Sequence, residues 1–128
     1  MYRILIVEDN EANWDMLSRR LQRRGFSTSV AEDGRQGVQK AQADMPDLIL
    51  MDLSLPEMDG CAATTALKRD PVTANIPVIV LTAHALVRDH ERAFAAGCDD
   101  FATKPLEFEK LLGKMATLLH ARQTATVM

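Results

Sequence analysis

Five short runs, each followed by a segment with helical spacing, decide what this chain can fold into. The runs are Ile4–Val7, Thr28–Ala31, Leu48–Met51, Val78–Leu81 and Asp100–Ala102. The first, third and fourth contain no polar residue, the pattern of strands buried on both faces. Leu17, Leu21 and Arg24 keep helical spacing until Gly25, and Val38, Ala41 and Met45 until Pro46. Ala62, Ala63, Ala66 and Leu67 follow the third run and close at Pro71. Val87, Glu91 and Phe94 form a poorer stripe ended by Gly97, whereas Phe108, Leu111, Leu112, Met115 and Leu119 trace the clearest helix. Strand–helix alternation of this kind predicts an α/β doubly wound (βα)5 fold, a five-stranded parallel sheet with helices on both faces. The second and fifth runs are more polar and suit the edges, so the expected strand order is 2-1-3-4-5. One domain is expected over residues 1–121, followed by a polar, fraying tail at 122–128.

In open sheets of this type, sites form beyond the carboxyl ends of the strands. The residues there are specific. The first strand runs into Glu8 and Asp9, the third into Asp52, the fourth into Thr82, and Lys104 and Pro105 follow the fifth. One rim thus collects three carboxylates, a hydroxyl and an ammonium. Carboxylates brought together raise one another's pKa unless something compensates. A hard cation such as Mg²⁺, which takes oxygen ligands, would do so. Phosphoryl transfer needs positioning and neutralisation of the phosphoryl oxygens, and a carboxylate can be its nucleophile. Asp52, alone at the tip of a core strand, is the candidate acceptor. Thr82 and Lys104 are candidate partners of the phosphoryl oxygens.

Composition narrows the classes further. The chain has 128 residues, is 47% hydrophobic and carries a net charge of −3. Nothing here has the basic footprint of a nucleic-acid binder. Arg19, Arg20, Arg23 and Arg24 are the one basic run and read as a solvated helix face. The N-terminus lacks the apolar stretch of a signal peptide, and no run approaches the ~18 apolar residues of a membrane span. Cys61 and Cys98 are in no metal or redox spacing and read as small buried hydrophobes in a cytoplasmic protein.

The stretches LIVEDN, DLILMDLSLPEMDG, IPVIVLTA, GCDDF and TKP, taken together, resemble the receiver domain of two-component response regulators. The resemblance covers Arg3 to about Leu119, and the wording around Asp9 and Asp52 is similar to DivK-type single-domain regulators and hybrid-kinase receivers. It implies a flavodoxin-like fold. It also implies that Asp52 accepts phosphoryl from a phosphohistidine on a histidine kinase or phosphotransfer protein. Mg²⁺ would be held by Glu8, Asp9, Asp52 and the backbone carbonyl of Ser54. Thr82 and Lys104 would engage the phosphoryl oxygens, Phe101 would be the switch aromatic, and Lys104–Pro105 would be cis. Such a module is not an enzyme in the ordinary sense, although it assists its own phosphorylation and dephosphorylation. Its output would be binding of a downstream protein through the fourth helix, the fifth strand and the fifth helix, as a monomer or a weak phosphorylation-linked dimer, with no direct contact to nucleic acid or membrane. Two choices stand out. Glu8 replaces the commoner aspartate, and Phe101 has no hydroxyl to present.

Other positions read more plainly. Ser54 and His84 sit beside the site, and His84, His90 and His120 are each expected to face solvent. Trp14, with Asn13 and Met16, is either a partner contact or packing against the neighbouring loop. Asp59 with Gly60 starts the third helix as an N-cap. Glu57 is a solvated loop acid. A stand-alone receiver is expected, with a receiver excised from a hybrid kinase as the alternative. A haloacid-dehalogenase-type phosphatase would need an acid where Ser54 stands. A flavodoxin-like electron carrier would need a phosphate loop where EDNEAN stands.

Overall fold

The computed structural model describes residues 1–83 and 87–127; His84 lies outside the described residues. The element order is β1 (Arg3–Val7), α1 (Glu11–Arg23), β2 (Ser27–Ala31), α2 (Gly34–Asp44), β3 (Leu48–Asp52), α3 (Gly60–Arg69), β4 (Val78–Thr82), α4 (Val87–Ala95), β5 (Asp100–Thr103) and α5 (Phe108–Val127). All pairings are parallel, and the strand order is β2-β1-β3-β4-β5. The doubly wound order expected from the apolar runs, and the flavodoxin-like fold that the resemblance implied, are the ones formed.

Side chains alternate across each strand, and this alternation sorts the core into two layers. Ile4, Ile6, Leu48, Leu50, Ile79 and Leu81 face α1 and α5, meeting Leu17, Leu21, Leu111 and Met115. Leu5, Val7, Ile49, Met51, Val78 and Val80 face α2, α3 and α4, meeting Ala41, Ala63, Leu67 and Ala93. Every residue of β3 and β4 is buried on both sides. β2 is only half-buried along most of its length, as an edge strand should be. Helix starts are capped by side chains. Asn10, Asp33 and Asp59 accept from the backbone N–H of Asn13, Gln36 and Ala62, respectively.

Arg19, Arg20, Arg23 and Arg24 are all exposed, as a solvated face should be, and two of them also make contacts. The Arg20 guanidinium lies 4.3 Å from the centre of the Phe108 ring, and Arg24 pairs with Glu109 at 2.8 Å. Both tie α1 to the start of α5. The polar segment beyond residue 121 continues the α5 helix to Val127. Arg122 is fastened to the domain, donating to the carbonyls of Asp47 at 2.8 Å and Pro46 at 3.3 Å. Helix α5 therefore runs past residue 121. Truncation after residue 121 is expected to cost about 1 kcal/mol through these lost bonds. Urea unfolding of the full and shortened chains measures it. Among the described residues, no helix is long and apolar enough to cross a membrane.

Candidate functional site

The site is assembled at the carboxyl ends of β1, β3 and β5. Glu8 directly follows β1, and its backbone N–H still bonds the Ala31 carbonyl at 3.0 Å, so the strand geometry extends to it. By alternation it faces the α1/α5 side, as Ile4 and Ile6 do. Asp52 follows the same rule after Leu48 and Leu50. The two carboxylates therefore point to one side of the sheet, and both are buried. Asp9 alternates away and is exposed. One carboxylate oxygen from each of Glu8, Asp9 and Asp52 lies within 4.8 Å of the others.

Lys104 closes the cluster. Its ammonium is 3.2 Å from Asp52 Oδ1 and 3.4 Å from Glu8 Oε1. Its backbone N–H donates to the Thr82 carbonyl at 2.7 Å, which fastens the loop after β5 to the end of β4. The Lys104–Pro105 peptide is cis. Thr82 is buried at the end of β4 and paired in register with Thr103. Its parity matches Val78 and Val80, and Phe101 packs against that same α4-side layer. Thr82 and Phe101 thus share the face opposite to Glu8 and Asp52. The Phe101 ring is not at the carboxylates; it rests against His90 and Phe94.

One ammonium cannot neutralise three carboxylates, and the protonation of the buried pair reflects this. Burial, then a hydrogen bond with Glu8, pushes the Asp52 carboxyl up to about 7, although Lys104 pulls the other way. For Glu8 burial is the largest single influence and also raises, but hydrogen bonds from Asp52 and Asn13 and the charge of Lys104 together outweigh it and hold the carboxyl below its usual value. The pair therefore shares a proton that sits mainly on Asp52. With both groups ionised, Glu8 Oε2 is buried without a hydrogen-bond partner among the described residues. An orphaned carboxylate oxygen beside two further carboxylates is a donor set that fits a hard divalent cation.

Two contributors were not legible as such. Asn13 donates to Glu8 Oε1 at 2.8 Å, so it orients a site carboxylate rather than simply facing outward. Its signal was its place one turn into a helix capped by Asn10. Gly60 has no functional group, yet its N–H bonds the Leu53 carbonyl at 3.0 Å and its Cα lies against the Asp52 peptide. Ser54 is exposed two residues past Asp52. Trp14 is half-buried and packs against the α1/α5 layer. Glu57 adopts a left-handed φ of 65° in the loop between Asp52 and α3. A groove of about 260 Å³ opens beside Glu8 and Lys104, walled by Met16, Leu17, Arg20, Leu106 and Phe108.

Comparison with known proteins agrees with this geometry. Residues 4–116 match the family model described as the response regulator receiver domain. The chain is 41% identical over 93% of its length to the DNA-binding dual master transcriptional regulator RpaA of Synechocystis, of which it spans only 49%. It is 35% identical to the polar-differentiation response regulator DivK of Brucella anthropi, covering 91% of this chain and 94% of that one. Among solved structures it matches the receiver domain of sensor histidine kinase PA1611 from Pseudomonas aeruginosa, which has a magnesium ion coordinated in its active site cleft. That match has a TM-score of 0.87 and 34% identity, covering 93% of this chain and 98% of that one. Strand order, acid cluster, lysine and sequence similarity converge, and the chain belongs to the response regulator receiver domain family of two-component signalling.

Proposed function

We propose that the chain is a phosphorylation-controlled switch in which Asp52 accepts a phosphoryl group. The observation that carries this reading is the Lys104 ammonium held between Asp52 and Glu8, with Asp9 beside them. Glu8, Asp9 and Asp52, with the carbonyl of Ser54, would hold Mg²⁺. When bound, the cation supplies positive charge both to the carboxylates and to incoming phosphoryl oxygens. The chain's own groups do the rest. Asp52 must lose its shared proton before it attacks, and Lys104 favours the carboxylate form. An Asp52 oxygen then forms the new bond to phosphorus while the phosphorus–nitrogen bond of a phosphohistidine breaks, the electron pair leaving with the imidazole. Lys104 and the Thr82 hydroxyl take the equatorial oxygens. Thr82 shares its face with Phe101, so movement of one bears on the other.

The donor is read as a histidine kinase or histidine phosphotransfer protein. The groove walled by Met16, Leu17, Arg20 and Leu106 supports docking of a partner helix beside the acceptor. Output is read as binding of a downstream protein through α4-β5-α5, with the chain monomeric or weakly dimeric on phosphorylation and cytoplasmic. Direct binding of nucleic acid or membrane has no part in this reading, and neither does steady turnover as an ordinary enzyme. The receiver unit is taken as residues 1–121, with Arg122 and the end of α5 as its extension.

The test is intact mass after incubation with Mg²⁺ and acetyl phosphate. The wild type is expected to gain one phosphoryl mass, and Asp52→Asn none. An adduct of equal yield on Asp52→Asn would refute Asp52 as the acceptor.

A further inference from the structure

The α4 side of β5 carries an aromatic assembly that the proposed chemistry does not use. The His90 imidazole stacks on the Phe101 ring, with centroids 3.9 Å apart and planes inclined by 30°. Phe94, one turn further along α4, meets the same ring edge-on at 5.7 Å. The Lys114 ammonium lies 5.0 Å from the ring centre and also donates to the Phe101 carbonyl. One residue of the edge strand is thus gripped by α4 through its ring and by α5 through its backbone. His90 was expected to face solvent. It is half-buried instead, and its Nε2 is buried without a hydrogen-bond partner among the described residues. A buried, unbonded ring nitrogen is unfavourable. The imidazole therefore keeps its place by stacking, and a phenyl ring could fill the same seat without that cost.

We propose that His90 is a positioning residue whose stack on Phe101 fixes the seat of that ring in the unmodified protein and joins α4 to it. Its bearing on signalling rests on the reading of Phe101 as the switch aromatic. The stack itself does not.

The chain has four phenylalanines, so labelling with 4-fluorophenylalanine gives a small set of fluorine resonances. The full, unphosphorylated chain is compared as wild type, His90→Ala and His90→Phe. His90→Ala is expected to move and broaden the Phe101 line while Phe26 and Phe108 stay in place. Losing one aromatic stack should shift the balance between ring seats by about two- to tenfold. His90→Phe is expected to restore a narrow line near the wild-type position and to melt no lower than the wild type. A Phe101 line unmoved in His90→Ala overturns the proposal. So does a Phe101 line that His90→Phe, which adds a fifth resonance of its own, fails to restore, or the four native lines moving together in both variants, which would mark a general packing role. Acetyl phosphate labelling of the same samples is read separately by mass. No adduct in the wild type would count against the phosphoryl reading, while the fluorine result would still decide the stack.

Discussion

Asp52→Asn is expected to raise the melting temperature of the metal-free protein at pH 8 by about 6 °C, a gain of about 2 kcal/mol for a domain of this size. Asp52 is 6% exposed, and burial with the Glu8 contact pushes its carboxyl up from 3.8 to about 7. Its native form thus holds a proton more tightly than its unfolded form does. Between about 4 and 7 the unfolded chain has released that proton and the native chain has not, so native stability falls as pH rises through this window. Above about 7 the native site carries the full strain of clustered carboxylates. Asparagine removes one charge without changing the shape. Part of the gain is offset because the proton on Asp52 also serves Glu8, which loses that donor. The difference between variant and wild type should accordingly be small near pH 4, grow towards pH 7 and level off above it. Added Mg²⁺ is expected to stabilise the wild type and to act much less on Asp52→Asn, since the variant lacks one of the three carboxylates proposed to hold the ion. Melting curves at several pH values, with and without the cation, measure all of this. A variant that melts at or below the wild type at pH 8 would mean that the cluster is not electrostatically strained.

What the sequence made legible follows from where each signal lives. Ile4–Val7, Leu48–Met51 and Val78–Leu81 announce themselves because a strand buried on both faces has no polar position to hide it. Glu8 and Asp52 were legible because a charge at the tip of such a strand has no structural excuse, whereas Lys104 gained weight only from sharing their rim. The Lys104 ammonium lies 3.4 Å from Glu8 and 3.2 Å from Asp52. Contacts that cross from one element to another were not legible. His90 sits on a helix with a thin apolar stripe, and its partner Phe101 lies on a different element. Arg20 reads as a surface charge until Phe108 is known to lie beneath its guanidinium. The end of α5 was missed for another reason. Apolar spacing stops at Leu119, but residues 121–123 favour helix, and Arg122 finds carbonyls at the far end of the sheet.

Gly60→Ala is expected to be among the more damaging single-methyl changes, costing about 3 kcal/mol. Asp59–Gly60 read as an ordinary helix start, and Asp59 does cap α3. The strain lies elsewhere. A Cβ on Gly60 would overlap the Asp52 carbonyl oxygen, and it would stand 2.8 Å from Leu53 Cα and 3.0 Å from Asp52 C. All three atoms are backbone, so no side chain can swing aside, and the peptide carrying the proposed acceptor must itself shift. A displacement near 1 Å at a reacting carboxylate can cost about 100-fold in rate. Acetyl phosphate labelling of the folded variant should therefore fall by at least about tenfold. Gly113→Ala is the control. It lies within α5 with nothing described within 4 Å of an added Cβ, and should stabilise by about 0.5–1 kcal/mol through helix propensity alone. Urea unfolding of both variants separates the two effects. If Gly60→Ala lost under about 1 kcal/mol, the turn after β3 would have to yield more easily than close-packed backbone does. Asp52 would then be held by its charged neighbours rather than by the glycine beneath it.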